Sequence, residues 1–272
     1  MKLGVIIGQK ENMEEQFVRV AELGVETCQV SCWNGALVSP QAGEAMKRAA
    51  ANAGVEISAI WAGWPGPKAW NLTEGPLTLG LVPRAYRHRR EEAIIAGAKM
   101  AEAAGVEHVA THVGFIPEDP NDPVYKEVVV SVRSIAQALK ASGQSFLFET
   151  GQETPVTLLR TIADVGTDNL GVNLDPANLL MYGKANPVDA VELFGSYIKG
   201  VHVKDGEYPT CGTRLGRERA VGEGRVNFPL FIAKLKEQGY AGPLTIEREI
   251  SGEQQRIDIL KAIDLLRSLI AQ

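Results

Sequence analysis

At 272 residues, 45% hydrophobic and 22% charged, the chain has the composition of a folded protein with a large core, not of a disordered or fibrous one. A net charge of −5 and a pI near 5.5 argue against a nucleic-acid backbone as partner, and no apolar stretch is long enough to cross a bilayer. Met1-Lys2 runs straight into an apolar strand, and the three cysteines (Cys28, Cys32, Cys211) form no CxxC pair; the expectation is a cytoplasmic protein with free thiols.

Strand and helix patterns alternate along the whole chain. KLGVIIG (2–8) reads as a strand, followed by a helix over 13–23 with Met13, Phe17, Val20 and Ala21 on one face. The second strand is expected over 24–32, the second helix over 40–53 and the third strand over 55–63. A Gly/Pro-rich loop over 64–83 precedes a helix over 84–104 and a strand over 106–114. A Pro/Asp loop (117–123) leads to a helix over 124–141, the strand SFLFET, and a helix over 155–165. LGVNLD is the sixth strand, 187–195 a short helix and YIKGVHVKD the seventh strand. After a Gly/Arg-rich loop (206–226), Phe228, Phe231, Ile232 and Leu235 mark the seventh helix. GPLTIERE is the eighth strand, and a helix carrying Ile259, Ile263, Leu266 and Ile270 ends the pattern. Gly24, Gly54 and Gly105, each before a Val, supply left-handed helix ends.

Eight βα units imply a parallel sheet with right-handed crossovers. No GxGxxG or GxxxxGK[ST] element follows the first strand, which weakens a nucleotide-binding open sheet. The expected architecture is α/β: a (β/α)8 TIM barrel, one domain over residues 1–272.

Four apolar runs end in metal-competent side chains: FLF-Glu149, LGVNL-Asp175, IKGV-His202 and PLTI-Glu247. A buried, unpaired carboxylate costs several kcal/mol or more, roughly, so something must compensate three of them. Taken singly, each acid reads best as paired with a nearby Arg or Lys. Four in register on consecutive strands favour one divalent cation. The hard O/N donor set suits Mn2+ first, with Mg2+, Co2+ or Zn2+ as alternatives.

The motifs THVGFIP (111–117), FET (148–150), HVKD (202–205), VGEGRVNF (221–228) and GPLTIERE (242–249) resemble the xylose isomerase-like sugar isomerase/epimerase superfamily, over essentially the whole chain. The resemblance implies that Glu149, Asp175, His202 and Glu247 are metal ligands. It also implies that Glu149 and Glu247 double as the catalytic acid/base pair on opposite faces of a sugar. The activity expected is proton transfer through a metal-stabilised enediolate, with isomerisation and epimerisation undivided. An inosose dehydratase-like lyase is the alternative, since elimination shares the first step. An endonuclease IV-like phosphodiesterase fits less well, because this chain has only four histidines. A non-catalytic sugar-binding barrel would have no use for the four ligands.

Around this centre, His112 is expected to meet substrate hydroxyls and Trp33 and Trp64 to wall a sugar face. Arg214, with Arg217 and Arg219, is placed to meet a phosphate or carboxylate. Glu223 is expected to organise the loop after the seventh strand, and Glu249 is a rival for the last ligand position. Asn178 stands where several sugar epimerases of the superfamily carry a D-x-x-H histidine, which puts the free-ketose epimerase subgroup in doubt. The Arg84–Arg90 cluster reads as a solvated helix face, and His88 and His108 as structural. The partner expected is a small sugar or polyol-derived carbonyl compound, with no nucleic acid or membrane; a homo-oligomer is allowed.

Overall fold

Eight parallel strands close into a barrel in the computed structural model, which describes residues 1–272. The chain runs β1 (Lys2–Gly8), α1 (Glu14–Glu22), β2 (Thr27–Cys32), α2 (Pro40–Ala53), β3 (Glu56–Ala62), α3 (Gly75–Thr78), α4 (Arg84–Ala104), β4 (His108–Thr111), α5 (Pro123–Lys140) and β5 (Ser145–Glu149). It continues through α6 (Pro155–Val165), β6 (Leu170–Leu174), α7 (Pro176–Met181), α8 (Pro187–Phe194), β7 (Ile198–Val203), β8 (Asp205–Gly206), β9 (Glu218–Arg219), α9 (Phe228–Glu237), β10 (Pro243–Ile246) and α10 (Glu253–Ala271). β1 pairs with β2 on one side and β10 on the other, which closes the ring. β8 and β9 form a separate antiparallel pair in the loop after β7.

The helices start on a repeated device. Ser39-Pro40, Asp122-Pro123, Thr154-Pro155, Asp175-Pro176 and Asn186-Pro187 each place a capping side chain on a first-turn N–H, with proline at the first helical position. Gly54 and Gly105 end α2 and α4 in the left-handed conformation. The following Val55 and Val106 donate their N–H groups back to Ala50 and Ala101. Those valines are thereby held by the helix ends, which is why β3 and β4 begin at Glu56 and His108 rather than at 55 and 106. The sixth unit carries two helices where one was expected, because Asp175-Pro176 starts α7 directly at the strand end. β10 stops at Ile246, so Glu247 and Glu249 lie just beyond it.

Strand alternation divides the interior into two parts. Outward-facing residues such as Val30, Ile60, Val109, Phe146, Val172, Val201 and Leu244 join the helices in one large apolar core. The lumen is different. Trp61, Ala110 and Leu147 form a small separate cluster, and around them sit polar side chains. Gln29 Nε2 donates to Asn173 Oδ1 at 3.0 Å, and Gln29 Oε1 lies 2.8 Å from His202 Nε2. Gly200 makes room for this chain: a Cβ there would lie 2.4 Å from Asn173 Oδ1.

Arg90 is fully buried and holds the long loop between β3 and α4. Its guanidinium donates to the carbonyls of Pro65, Pro67 and Gly80 and stacks on Trp64, 4.1 Å from the ring centroid. Arg84, His88 and Arg89 lie on a solvated helix face, while Arg87 with Arg84 pairs with Glu127 on α5, so the basic run is part solvated face and part clamp. A second clamp follows β7. The buried Asp205 carboxylate accepts N–H groups from Gly206, Gly222, Gly224 and Val226. Glu223 is exposed and does not organise this loop; Asp205 does.

In the loop after β5, Glu153 is buried with one carboxylate oxygen unpartnered. Burial pushes its carboxyl from an ordinary 4.5 up to about 8. A raised folded-state pKa favours the folded protein at low pH. That contribution is complete below pH 4.5 and is lost as the pH climbs to 8, by about 1.4 kcal/mol per pH unit. Glu153→Gln is therefore expected to gain stability over the parent as the pH rises from 5 to 8, measured by urea unfolding at each pH. A gap that stays constant with pH would contradict the assigned burial.

Candidate metal centre

Glu149, Asp175, His202 and Glu247 come from β5 and from the ends of β6, β7 and β10, which are consecutive around the ring. Glu149 is the last residue of β5, and His202 lies inside β7 with its ring in the lumen. Asp175 and Glu247 each follow their strand by one residue. One candidate ligand atom from each residue lies within 4.8 Å of all the others. His202 Nδ1 is 3.1 Å from Glu149 Oε1, 3.2 Å from Glu247 Oε2 and 3.8 Å from Asp175 Oδ2.

Neighbouring groups aim each of these atoms. Trp61 Nε1–H donates to Glu149 Oε2, leaving Oε1 toward the imidazole. Asp175 uses Oδ1 to cap α7 through the Asn178 N–H at 2.8 Å, leaving Oδ2 toward the cluster. Gln29 Oε1, oriented by the bond to Asn173, takes the His202 Nε2 side of the ring, so Nδ1 is turned toward the carboxylates. Asp175 Oδ2 and His202 Nδ1 are both buried and have no satisfying hydrogen-bond partner. Two orphaned donor atoms facing each other, beside two further carboxylate oxygens, fit a divalent cation with oxygen and nitrogen ligands.

The electrostatics are those of crowded acids. Burial raises the Asp175 carboxyl to about 6. Burial opposes a charged His202, but the Glu149 and Glu247 carboxylates hold its pKa well above the ordinary imidazole value. Burial likewise opposes ionisation of Glu247, and the Lys204 and His202 cations overcome it, so its carboxyl falls well below the usual range. Lys204 is buried at the same rim, 3.4 Å from Glu247 Oε2 and 3.0 Å from Glu249 Oε2. Burial works against its charge, and the carboxylates of Glu247, Glu249 and Asp175 hold its pKa high.

Above the four residues lies a pocket of about 200 Å³, below the roughly 300–1,000 Å³ of drug-sized sites. One wall is aromatic: Trp33, Trp61 and Trp70, with Trp33 and Trp61 ring centroids 4.8 Å apart. The other carries Asn178, Tyr182, Lys204 and Glu249. His112 lines the pocket between them, with Nε2 3.5 Å from Glu149 Oε1. Trp33 and His112 both line this pocket. Trp64 does not: it is buried behind the wall, stacked under Arg90 and edge-on to Trp33. Arg214 is exposed and outside the pocket; its neighbour Leu215 lines it instead. Trp61, Trp70 and Lys204 went unread in the sequence. Trp61 and Lys204 sit at inward positions of β3 and just past β7, a signal that strand parity carries.

The model of the xylose isomerase-like TIM barrel family matches residues 17–269. The uncharacterized protein MJ1311 of Methanocaldococcus jannaschii is 28% identical over 61% of this chain, and the chain spans 59% of the length of that curated relative. A xylose isomerase domain protein from Planctomyces limnophilus shares the structure at TM-score 0.93 and 32% identity, covering 98% of this chain and 96% of its own. A D-tagatose 3-epimerase-like protein shares the fold at TM-score 0.78 and 23% identity, covering 100% and 97%. So does the probable 3-DHS dehydratase AsbF of Bacillus anthracis, at TM-score 0.71 and 18% identity, covering 96% and 98%. The match over residues 17–269, on a closed eight-stranded parallel barrel, places this chain in the xylose isomerase-like TIM barrel family.

Proposed function

We propose that the chain is a divalent-metal-dependent sugar isomerase or epimerase. One observation carries this reading: four ligand-competent side chains converge at the floor of a small pocket, with Asp175 Oδ2 and His202 Nδ1 unsatisfied. Family membership and the likeness to a D-tagatose 3-epimerase-like protein support it.

Glu149, Asp175, His202 and Glu247 would hold the cation, Mn2+ foremost among the candidates. When bound, it supplies Lewis-acid polarisation of a carbonyl oxygen, worth on the order of several kcal/mol. The chain supplies the proton chemistry. Glu149 and Glu247 both face the pocket as well as the cluster, and either carboxylate can take a proton from a carbon beside the carbonyl. Proton return by the second carboxylate inverts that carbon, and return by the first at a neighbouring atom isomerises. His112, against Glu149, is placed to bind a substrate hydroxyl, and the Trp33–Trp61–Trp70 wall excludes water from the non-polar face. The same apparatus begins an elimination, so a dehydratase is the second reading, supported by the fold shared with a probable dehydratase. A trinuclear phosphodiesterase would need more histidines than are near: His88 is exposed on α4.

After chelator treatment, one Mn2+ per chain is expected to rebind and to be lost in His202→Ala. With metal, sugars in D2O should take up deuterium beside the carbonyl, and product analysis separates epimer, isomer and dehydrated product. Glu149→Gln is expected to slow the exchange by about 10²-fold or more. Exchange at the parental rate in that variant would sink its catalytic role. Gln29→Leu removes the acceptor at His202 Nε2 and should weaken Mn2+ affinity about 10–100-fold in the same titration. An unchanged affinity would mean that the lumen chain does not orient the imidazole.

A further inference from the structure

Lys204 stands in an unusual position. It is buried, it lines the pocket, and its ammonium is clasped by Glu247 and Glu249. An ammonium has three N–H donors. Those two carboxylates account for two of them, which leaves one donor for an oxygen in the pocket. Glu249 is held in place by its own backbone, whose N–H donates to Glu218 Oε1 at 2.9 Å. Glu218 in turn pairs with Arg248, and Arg248 with Asp258. The clasp is therefore built on a fixed scaffold.

The charge around the pocket bears on what can enter it. Glu149, Asp175, Glu247 and Glu249 bring four carboxylates, and Lys204 is the single Lys or Arg among the lining residues. A divalent cation at the floor still leaves one negative charge in excess. Phosphate and carboxylate groups are recognised by arginine forks, helix N-termini or free lysines. Here Arg214 is outside the pocket, and the one ammonium is already shared between two acids.

We propose that Lys204 is a specificity-determining, substrate-binding residue that donates its third N–H to an oxygen of an uncharged polyhydroxy carbonyl compound, while the carboxylates clasping it exclude phosphorylated and carboxylated relatives. This rests on the metal-dependent sugar-carbonyl reading above and adds to it the charge class of the substrate. The aromatic wall opposite Lys204 suits the C–H face of such a molecule, so the pocket is polar on one side and apolar on the other.

The test is ligand binding to the Mn2+-loaded protein, read by the change in water-proton relaxation as a ligand displaces metal-bound water. The probes are D-fructose and D-tagatose, each against its 6-phosphate. The free sugars are expected to bind at least about tenfold tighter than their phosphates, a difference of the size of one charge-assisted hydrogen bond. Lys204→Met is expected to keep one Mn2+ per chain and to weaken the free sugars about tenfold. Glu249→Gln, which removes one negative charge, is expected to narrow the gap between sugar and phosphate. Phosphates that bind as tightly as the free sugars overturn the proposal, and this comparison needs no variant to fold. Unchanged sugar affinity in a metal-loaded Lys204→Met protein overturns it as well. Parent protein that holds Mn2+ but responds to none of the four probes refutes the sugar-carbonyl reading itself, and the proposal with it.

Discussion

Two buried carboxylates, a third at the rim and a buried imidazole crowd together at one end of a barrel, and the rest of the structure is arranged around that cost. Isolated charges in such a place are penalised by several kcal/mol each, roughly, unless something compensates them. Lys204 offsets part of the negative charge, and the orphaned Asp175 Oδ2 and His202 Nδ1 mark where compensation within the chain ends. Burial raises the Asp175 carboxyl, while the Lys204 and His202 cations overcome the same penalty at Glu247 and lower it. A cation held by all four side chains, as proposed, would offset the imbalance in one step.

The barrel does more than bring four strand ends together. Its lumen carries a hydrogen-bonded line from Asn173 through Gln29 to His202, with glycine at position 200 where a methyl group would collide. That line decides which ring nitrogen faces the acids. Above the rim, two clamps fix the loops that make the pocket. Arg90 ties three carbonyls of the loop that bears Trp70, and Asp205 gathers four N–H groups of the loop that bears Leu215. Both clamps are buried charged groups whose hydrogen bonds are met by backbone, the arrangement in which such burial is tolerated.

The fold was legible because helix and strand periodicities alternate along the chain, and because Gly-Val joints punctuate them. The convergence of the four central residues was legible because they end consecutive apolar runs; any one of them alone would have read as an ordinary ion pair. The pocket wall was read less well. Trp64 and Trp33 look alike in sequence, each following a strand, yet one is packed under Arg90 and the other faces the pocket. Trp61 was hidden inside an apolar strand, where only lumen-facing parity distinguishes it from core. Arg214 lies outside the pocket and Leu215 lines it, because the long loop after β7 carries no periodicity to say which side chain turns inward. Arg90 looks in sequence like one of several solvated arginines, and its burial depends on carbonyls of a loop that lies ten to twenty-five residues earlier.

The central claim is that these four side chains form one cation site. It is tested most directly by diffraction from crystals of the intact protein grown with Mn2+, with data collected to reveal anomalous scattering. A single strong anomalous peak per chain is expected, bonded to Glu149, Asp175, His202 through Nδ1, and Glu247. A peak bonded to other residues, or none from crystals grown in saturating Mn2+, would contradict it.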